Sequence, residues 1–166
     1  MRYISSDTNI WLDFDAISSI ELPFLLPYTF IMYKEALRKE IISPPSLIKK
    51  LKKSGLQTVE LELEEFIIAD NLSQKYGKLS GYDRIALAIA MNRNIELLTG
   101  DGALRKAALA EGVTVLGSIG IMDELLARKS ISRNKYRICL EAFLKHPERR
   151  LPKDEIEKRL KEVSRH

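Results

Sequence analysis

Short apolar runs alternate along the chain with longer segments of helical period, and this alternation constrains the fold more than any other sequence feature. The clearest unit is the run 95–99, which leads through Gly100-Asp101-Gly102 into a helical pattern over 103–111. A further apolar run follows at 113–116. Because strands that alternate with helices pair in parallel, the sequence predicts an α/β fold with a central, mainly parallel sheet.

The remaining segments extend this pattern. A strand over 2–6 precedes a first helix, and the chain must turn at Pro27 before a predicted helix over 30–38. Further helices are predicted over 46–54, 63–76, 84–92 and 117–127, with a short strand over 58–63. A chain of 166 residues buries one core, so we expect one main domain over 1–129. Residues 130–166 are expected to form a basic helical extension, with helices over 134–144 and 153–163.

Charge is unevenly distributed between these two parts. The net charge is +4, but residues 1–127 hold 14 Lys/Arg against 17 Asp/Glu, whereas 128–166 hold 13 against 6. A basic tail is typical of a segment that contacts phosphate or an acidic partner, with Arg149, Arg150 and Lys153 as candidate RNA-binding residues. Two alternatives stay open: a solvated helical face, and packing of the tail on the core.

Composition also indicates where the protein works. Its single cysteine, Cys139, cannot form an internal disulfide, and no Cys/His cluster has zinc-ligand spacing. Residues 1–14 carry Asp7 where a signal peptide would be apolar, and the longest apolar run, 85–91, is too short to span a bilayer. We therefore expect a soluble, cytoplasmic protein.

Three aspartates lie at predicted helix starts: Asp7, Asp83 and Asp101. The carboxyl ends of parallel strands share one edge of a sheet, where ligands bind, so these side chains could meet there. Clustered carboxylates need a neutralising cation, and oxygen-only ligands favour Mg²⁺ or Mn²⁺. Taken singly, each aspartate could instead be a helix cap, and Ser80-x-x-Asp83 matches a capping box.

The sequences around these acids resemble those of PIN-domain nucleases, particularly the VapC-like toxins. The resemblance rests on Asp7-Thr8-Asn9, on Leu26-Pro27 followed by Glu35, on Leu79-Ser80-x-x-Asp83 before 85–90, on Leu97-Leu98-Thr99-x-Asp101-x-x-Leu104, and on Gly117-x-x-Gly120-Ile121. It covers about residues 1–127 and leaves the basic tail outside.

This resemblance implies a three-layer α/β/α fold whose acids bind one or two Mg²⁺ or Mn²⁺ ions and activate a water that cleaves RNA. The implied catalytic and metal-binding residues are Asp7, Glu35, Asp83 and Asp101. Neighbours that would orient carboxylates or waters are Thr8, Asn9, Ser80 and Thr99, although turn chemistry explains them equally well. Glu35 could instead be a solvated surface residue. Toxin members of the family generally act beside a small antitoxin and often form homodimers, so both partners are expected here.

Two other functions stay open. Residues 10–15 resemble the Asp-x-Asp strand of haloacid dehalogenase-type phosphatases, in which Asp13 would form an aspartyl-phosphate. Against this, Arg105 stands where that family has a second acid, and Asp13 falls within a predicted helix. The chain could also be a PIN-like scaffold that binds RNA or a partner without cutting it, because carboxylates show metal capacity and not turnover.

Overall fold

The computed structural model describes residues 2–41 and 46–165, and a five-stranded sheet runs through its centre. All strands are parallel, in the order β3-β2-β1-β4-β5. The strands are β1 (Arg2–Ser6), β2 (Tyr28–Tyr33), β3 (Gln57–Val59), β4 (Glu96–Leu98) and β5 (Val115–Leu116). The predicted α/β class is therefore confirmed, with a sheet that is parallel throughout its described strands.

Helices cover both faces of the sheet and complete a three-layer α/β/α arrangement. The helices are α1 (Thr8–Ala16), α2 (Lys34–Glu40), α3 (Ser46–Ser54), α4 (Leu63–Lys75), α5 (Gly81–Arg93), α6 (Gly102–Ala110), α7 (Ser118–Ala127), α8 (Arg133–Leu144) and α9 (Lys153–Ser164). Two short 3₁₀ turns, Leu22–Leu25 and Pro147–Arg149, link them. None of the helices in 2–41 and 46–165 is long and apolar enough to cross a membrane.

Two apolar clusters show how the layers are divided. One contains Ile4, Trp11 and Phe30 and joins the sheet to α1, α2, α3, α7, α8 and α9. The other contains Leu87 and Leu97 and joins the opposite face to α4, α5 and α6. Burial of apolar side chains on both faces is what an all-parallel sheet requires.

The predicted helix over 30–38 was wrong in its first half. Strand β2 occupies Tyr28–Tyr33, and helix α2 begins only at Lys34. Phe30, Ile31 and Met32 are all buried, so both faces of β2 are covered. A strand buried on both faces lacks the alternation that identifies a half-exposed strand, and its aromatic and β-branched residues suit a pleated surface.

The C-terminal helices belong to the same core as the rest of the fold. Leu140 and Phe143 of α8 are buried, and the Phe143 ring meets the Phe14 ring of α1 edge to face at 5.7 Å between centroids. Ile156 of α9 is also buried in this cluster. Residues 130–165 therefore pack on the core, which is one of the two alternatives considered for the tail.

Candidate active site at the carboxyl edge of the sheet

Strands β1 and β4 lie side by side where the order of the sheet reverses. From β1 the chain continues to β2 on one side, and from β4 it continues to β5 on the other. Such a reversal opens a crevice at the carboxyl ends of the strands, where ligands bind in open α/β folds. Asp7 follows β1 at this point, and its N–H donates to the Leu98 carbonyl of β4 at 2.9 Å. Asp101 follows β4.

Asp7 is buried at the base of this crevice and is only 5% exposed. Its carboxylate accepts a hydrogen bond from the Thr99 hydroxyl at 2.8 Å. Burial raises the pKa of Asp7 to about 6; the Thr99 bond opposes the rise, and the nearby charges of Asp83 and Glu40 add to it. The side chain makes no capping hydrogen bond to α1. Asp7 is therefore a buried acid surrounded by other acids, which favours binding of a proton or a cation.

Glu40 is a member of this site that sequence reasoning missed. It lies at the end of α2, and the Thr8 hydroxyl donates to its Oε1 at 2.7 Å. Burial raises the pKa of Glu40, the Thr8 bond lowers it, and the charge of Asp83 raises it further. Asp7, Glu40 and Asp83 are thus coupled electrostatically, and we call them the acidic cluster.

Glu35, the acid expected from the resemblance, lies elsewhere on the same helix. Its carboxylate pairs with Arg38 at 2.9 Å on a partly exposed surface. Residues five positions apart on an α-helix are rotated by about 140° from one another, so Glu35 and Glu40 face different directions. The sequence did contain a signal for Glu40: it follows the buried Ala36 and Leu37 at helical spacings of four and three. Placing the start of α2 correctly would have put Glu40 on the same side of the helix as these two residues, at its last turn, where its side chain stays exposed.

Asp83 combines a structural role with its place in the acidic cluster. Its Oδ2 accepts from the Ser80 N–H at 3.1 Å, and the Ser80 Oγ accepts from the Asp83 N–H at 3.1 Å. The predicted capping box is therefore present. The charge of Asp83 nonetheless raises the pKa values of Asp7 and Glu40. Asp83 can therefore cap α5 and belong to the acidic cluster at the same time.

Asp101 caps α6 and is linked to Asp7 through one threonine. Its Oδ1 accepts from the Leu104 N–H at 2.9 Å, while its own N–H donates to the Thr99 Oγ at 3.1 Å. The same Thr99 hydroxyl donates to Asp7. Asp101 is not among the charges that shift the pKa of Asp7. Thr99 therefore fixes the position of Asp7 relative to the turn that carries Asp101.

The donor set of the acidic cluster suits a hard divalent cation. Its side chains offer only oxygen atoms, which Mg²⁺ and Mn²⁺ prefer, and a cation would relieve the repulsion that adds to the effect of burial in raising the pKa values of Asp7 and Glu40. Across the described ranges, no three acidic, histidine or cysteine side chains stand close enough together to hold a metal ion as they are oriented here. The match between the acidic cluster and a divalent cation therefore rests on its oxygen donors and its charge. Binding of the ion by all three carboxylates would require their side chains to rotate.

A second buried aspartate lies deeper in α1. Asp13 is 3% exposed, and its two oxygens accept from the Arg149 Nε at 2.8 Å and the Ser118 hydroxyl at 2.9 Å. Burial raises its pKa, and both hydrogen bonds oppose the rise. Because Asp13 lies inside a helix with both oxygens engaged, it does not fit the nucleophile of a haloacid dehalogenase-type phosphatase.

The basic residues predicted to touch RNA are placed unequally. Arg149 is committed to Asp13 and also donates to the Asn9 carbonyl at 3.1 Å, so it ties the C-terminal segment to the start of α1. Arg150 is exposed, and Lys153 lies 3.9 Å from Glu157 on the outer face of α9. Arg150 is therefore the better placed of the two exposed residues, because it lines the cleft beside Asp101.

A family model described as a PIN domain matches residues 4–165, which includes the C-terminal helices as well as the part that carries the acids. Searches of curated proteins and of solved structures gave no match.

Proposed function

Because the chain belongs to the PIN-domain family, whose members are generally nucleases, we propose that it is a ribonuclease dependent on Mg²⁺ or Mn²⁺. One observation carries the proposal: a buried aspartate at the end of the central strand has its pKa raised to about 6 by burial and by two further carboxylates. Strongly perturbed acids in a crevice are typical of catalytic sites.

The side chains divide the work as follows. Asp7, Glu40 and Asp83 would hold the metal, with Glu40 in the place that the resemblance gave to Glu35, and Asp101 would complete the set from the next strand. When bound, the ion lowers the pKa of a water and stabilises charge on the phosphate oxygens. Thr99 orients Asp7, and its hydroxyl keeps that carboxylate turned toward the strand ends.

Thr8 has the same relation to Glu40. Its hydroxyl holds Glu40 Oε1 at 2.7 Å, which places the end of α2 next to the start of α1. Such hydrogen bonds to ligating carboxylates fix their orientation and preserve affinity for the ion. Thr8 and Thr99 are therefore positioning residues. At Ser80 the backbone N–H, and not the hydroxyl, donates to the Asp83 carboxylate and positions it.

The test is cleavage of single-stranded and structured RNA by the full chain, with Mn²⁺ or Mg²⁺ and with EDTA. Asp7→Asn should lower the cleavage rate on the order of 1,000-fold, because it removes the central charge from the acidic cluster. Asp15→Asn, on the same helix, removes one carboxylate outside the site and is the matched control.

Three results would contradict the proposal. Cleavage that survives EDTA would exclude metal dependence, and equal rates for wild type and Asp7→Asn would exclude the acidic cluster. RNA binding without any cleavage by the wild type would favour the non-cleaving scaffold.

The biological setting is proposed on the resemblance alone. We propose a cytoplasmic toxin that forms a homodimer and is held in check by a small antitoxin protein. A short neighbouring reading frame that encodes a DNA-binding segment would support this setting. An isolated gene and a monomer by sedimentation would contradict it.

A further inference from the structure

A cleft of about 840 Å³ opens beside Asp101, at the carboxyl edge of the sheet. One wall is formed by the starts of α6 and α7, including Asp101 and Gly117, and the other by the segment that follows α8. Four arginines line it: Arg105, Arg149, Arg150 and Arg159. Four acids, Asp13, Asp101, Glu148 and Glu155, line it as well, so the charge it offers to a ligand depends on which of these groups pair with one another.

Two of these arginines are neutralised by carboxylates. Arg149 is paired with the buried Asp13 at 2.8 Å. Arg159 is paired with Asp123 at 2.9 Å and with Glu155 at 2.8 Å. These guanidinium groups hold the C-terminal segment against the core.

The other two are available to a ligand. Arg105 and Arg150 are exposed, and within residues 2–41 and 46–165 neither forms a salt bridge or a side-chain hydrogen bond. Glu148, another acid of the cleft, is held by His146 at 2.9 Å. The cleft therefore carries two uncompensated guanidinium groups on opposite walls.

The position of Arg105 depends on a glycine. An ideal Cβ at Gly117 would lie 3.1 Å from the Arg105 Nη2 and 3.5 Å from the Thr99 carbonyl oxygen. The guanidinium thus rests against the end of the sheet, next to the strand end that carries Thr99, the residue hydrogen-bonded to Asp7 and to Asp101. Because this guanidinium pairs with no carboxylate in the described residues, its charge is available to an anion at the end of the sheet.

We propose that Arg105 and Arg150 bind successive phosphates of a single-stranded RNA and hold the strand across the cleft. The planar guanidinium group binds phosphate oxygens through paired N–H donors, and two such groups on facing walls would fix the path of the backbone. The strand would then run past Asp101 to the acidic cluster. This inference rests on the proposed function and adds the residues that position its substrate.

The experiment measures binding instead of cleavage, so that the two proposals can fail separately. Affinity of the full chain for a short labelled single-stranded RNA is titrated against salt in EDTA. The Arg105→Ala/Arg150→Ala variant should reduce the slope of log K against log[salt] by about 1.4, because each lost phosphate contact on a single strand contributes about 0.7. Lys106→Ala/Lys145→Ala removes two exposed charges outside the cleft and should leave the slope unchanged.

A second variant tests geometry without removing charge. Gly117 has φ −113°, which alanine adopts freely, and a Cβ there requires the Arg105 Nη2 to move by only a few tenths of an ångström, so Gly117→Ala should fold. Because this variant keeps the Arg105 charge at the cleft, it should keep the wild-type slope. A wild-type slope in the double arginine variant, or an equal loss in the lysine control, would overturn the inference. If the slopes change as expected but the wild type never cleaves RNA, phosphate binding by Arg105 and Arg150 is supported and the nuclease proposal fails.

Discussion

Asp7 and Asp13 are two buried aspartates of the same N-terminal segment, and their surroundings are opposite. Both are almost inaccessible, at 5% and 3% exposure, and burial raises the pKa of both. Asp13 is compensated by the Arg149 guanidinium and the Ser118 hydroxyl. Asp7 has one hydroxyl donor and two further carboxylates nearby.

The difference separates a structural acid from a functional one. A buried charge is costly unless it is paired, and Asp13 is paired through a contact that fastens the C-terminal segment to α1. Asp7 lacks such a partner, so its burial opposes stability at neutral pH. Proteins retain such unfavourable groups where function requires them. A cation bound at Asp7 would supply the positive charge that Arg149 supplies at Asp13.

The largest expected effect on stability comes from breaking the compensated pair. Arg149→Ala leaves Asp13 buried without its counter-charge and should lower the free energy of unfolding by about 3 to 5 kcal/mol, measured by urea denaturation. Lys145→Ala, an exposed charge just before the same segment, should change it little. Adding Asp13→Asn to Arg149→Ala should recover part of the loss, because the buried charge is gone. A loss below about 1 kcal/mol for Arg149→Ala would mean that the pair does not fasten the segment.

The opposite effect is expected at Asp7. Its pKa rises from 3.8 to about 6 on folding, so the folded state holds the proton more tightly, and stability falls as pH increases through that window. Two units correspond to about 3 kcal/mol. Asp7→Asn cannot ionise and should therefore be more stable than wild type above pH 6 by up to about this amount, with the difference disappearing near pH 4.

This comparison is made by urea denaturation in EDTA across pH, and then with added Mn²⁺. The ion should stabilise the wild type and narrow its difference from Asp7→Asn, because it binds the folded acidic cluster. A difference between the two proteins that does not depend on pH would contradict the view that Asp7 is an uncompensated acid.

Sequence reasoning recovered the features encoded locally and missed those made by distant partners. The alternation of strands and helices, and the capping box at Ser80 and Asp83, follow from neighbouring residues. The partner of Asp13 lies 136 positions away, and that of Asp7 lies 92 positions away, so neither contact leaves a local pattern. The sequence therefore predicts the helix that contains Asp13 but not the burial of its carboxylate against Arg149.

The start of α2 illustrates a different reason for error. The buried strand β2 has an almost continuous apolar sequence, which periodicity cannot distinguish from a buried helix. The predicted helix began at residue 30, inside β2, whereas α2 begins at Lys34. With the wrong first residue, the helical spacing could not show which side of α2 packs against the core. Glu35 stays the acid of α2 that the resemblance predicts, whereas Glu40 is the acid of α2 that Thr8 holds and whose pKa the charge of Asp83 raises.

Glu35 and Glu40 repeat on α2 the contrast between an acid paired with an arginine and an acid close to other carboxylates. The effect expected from replacing them is the smallest of those predicted. Glu35 is satisfied by Arg38 at 2.9 Å, whereas Glu40 is held by Thr8 and repelled by Asp83. Glu40→Gln should lower RNA cleavage about 100-fold, equivalent to about 2.7 kcal/mol of transition-state stabilisation, while Glu35→Gln changes it less than about threefold. Rates are compared at saturating Mn²⁺ and again at limiting Mn²⁺, where loss of a ligand raises the concentration of ion required. If Glu35→Gln were the damaging substitution, Glu35 would be the acid of α2 that serves the metal site. The role proposed for Glu40 would then be wrong.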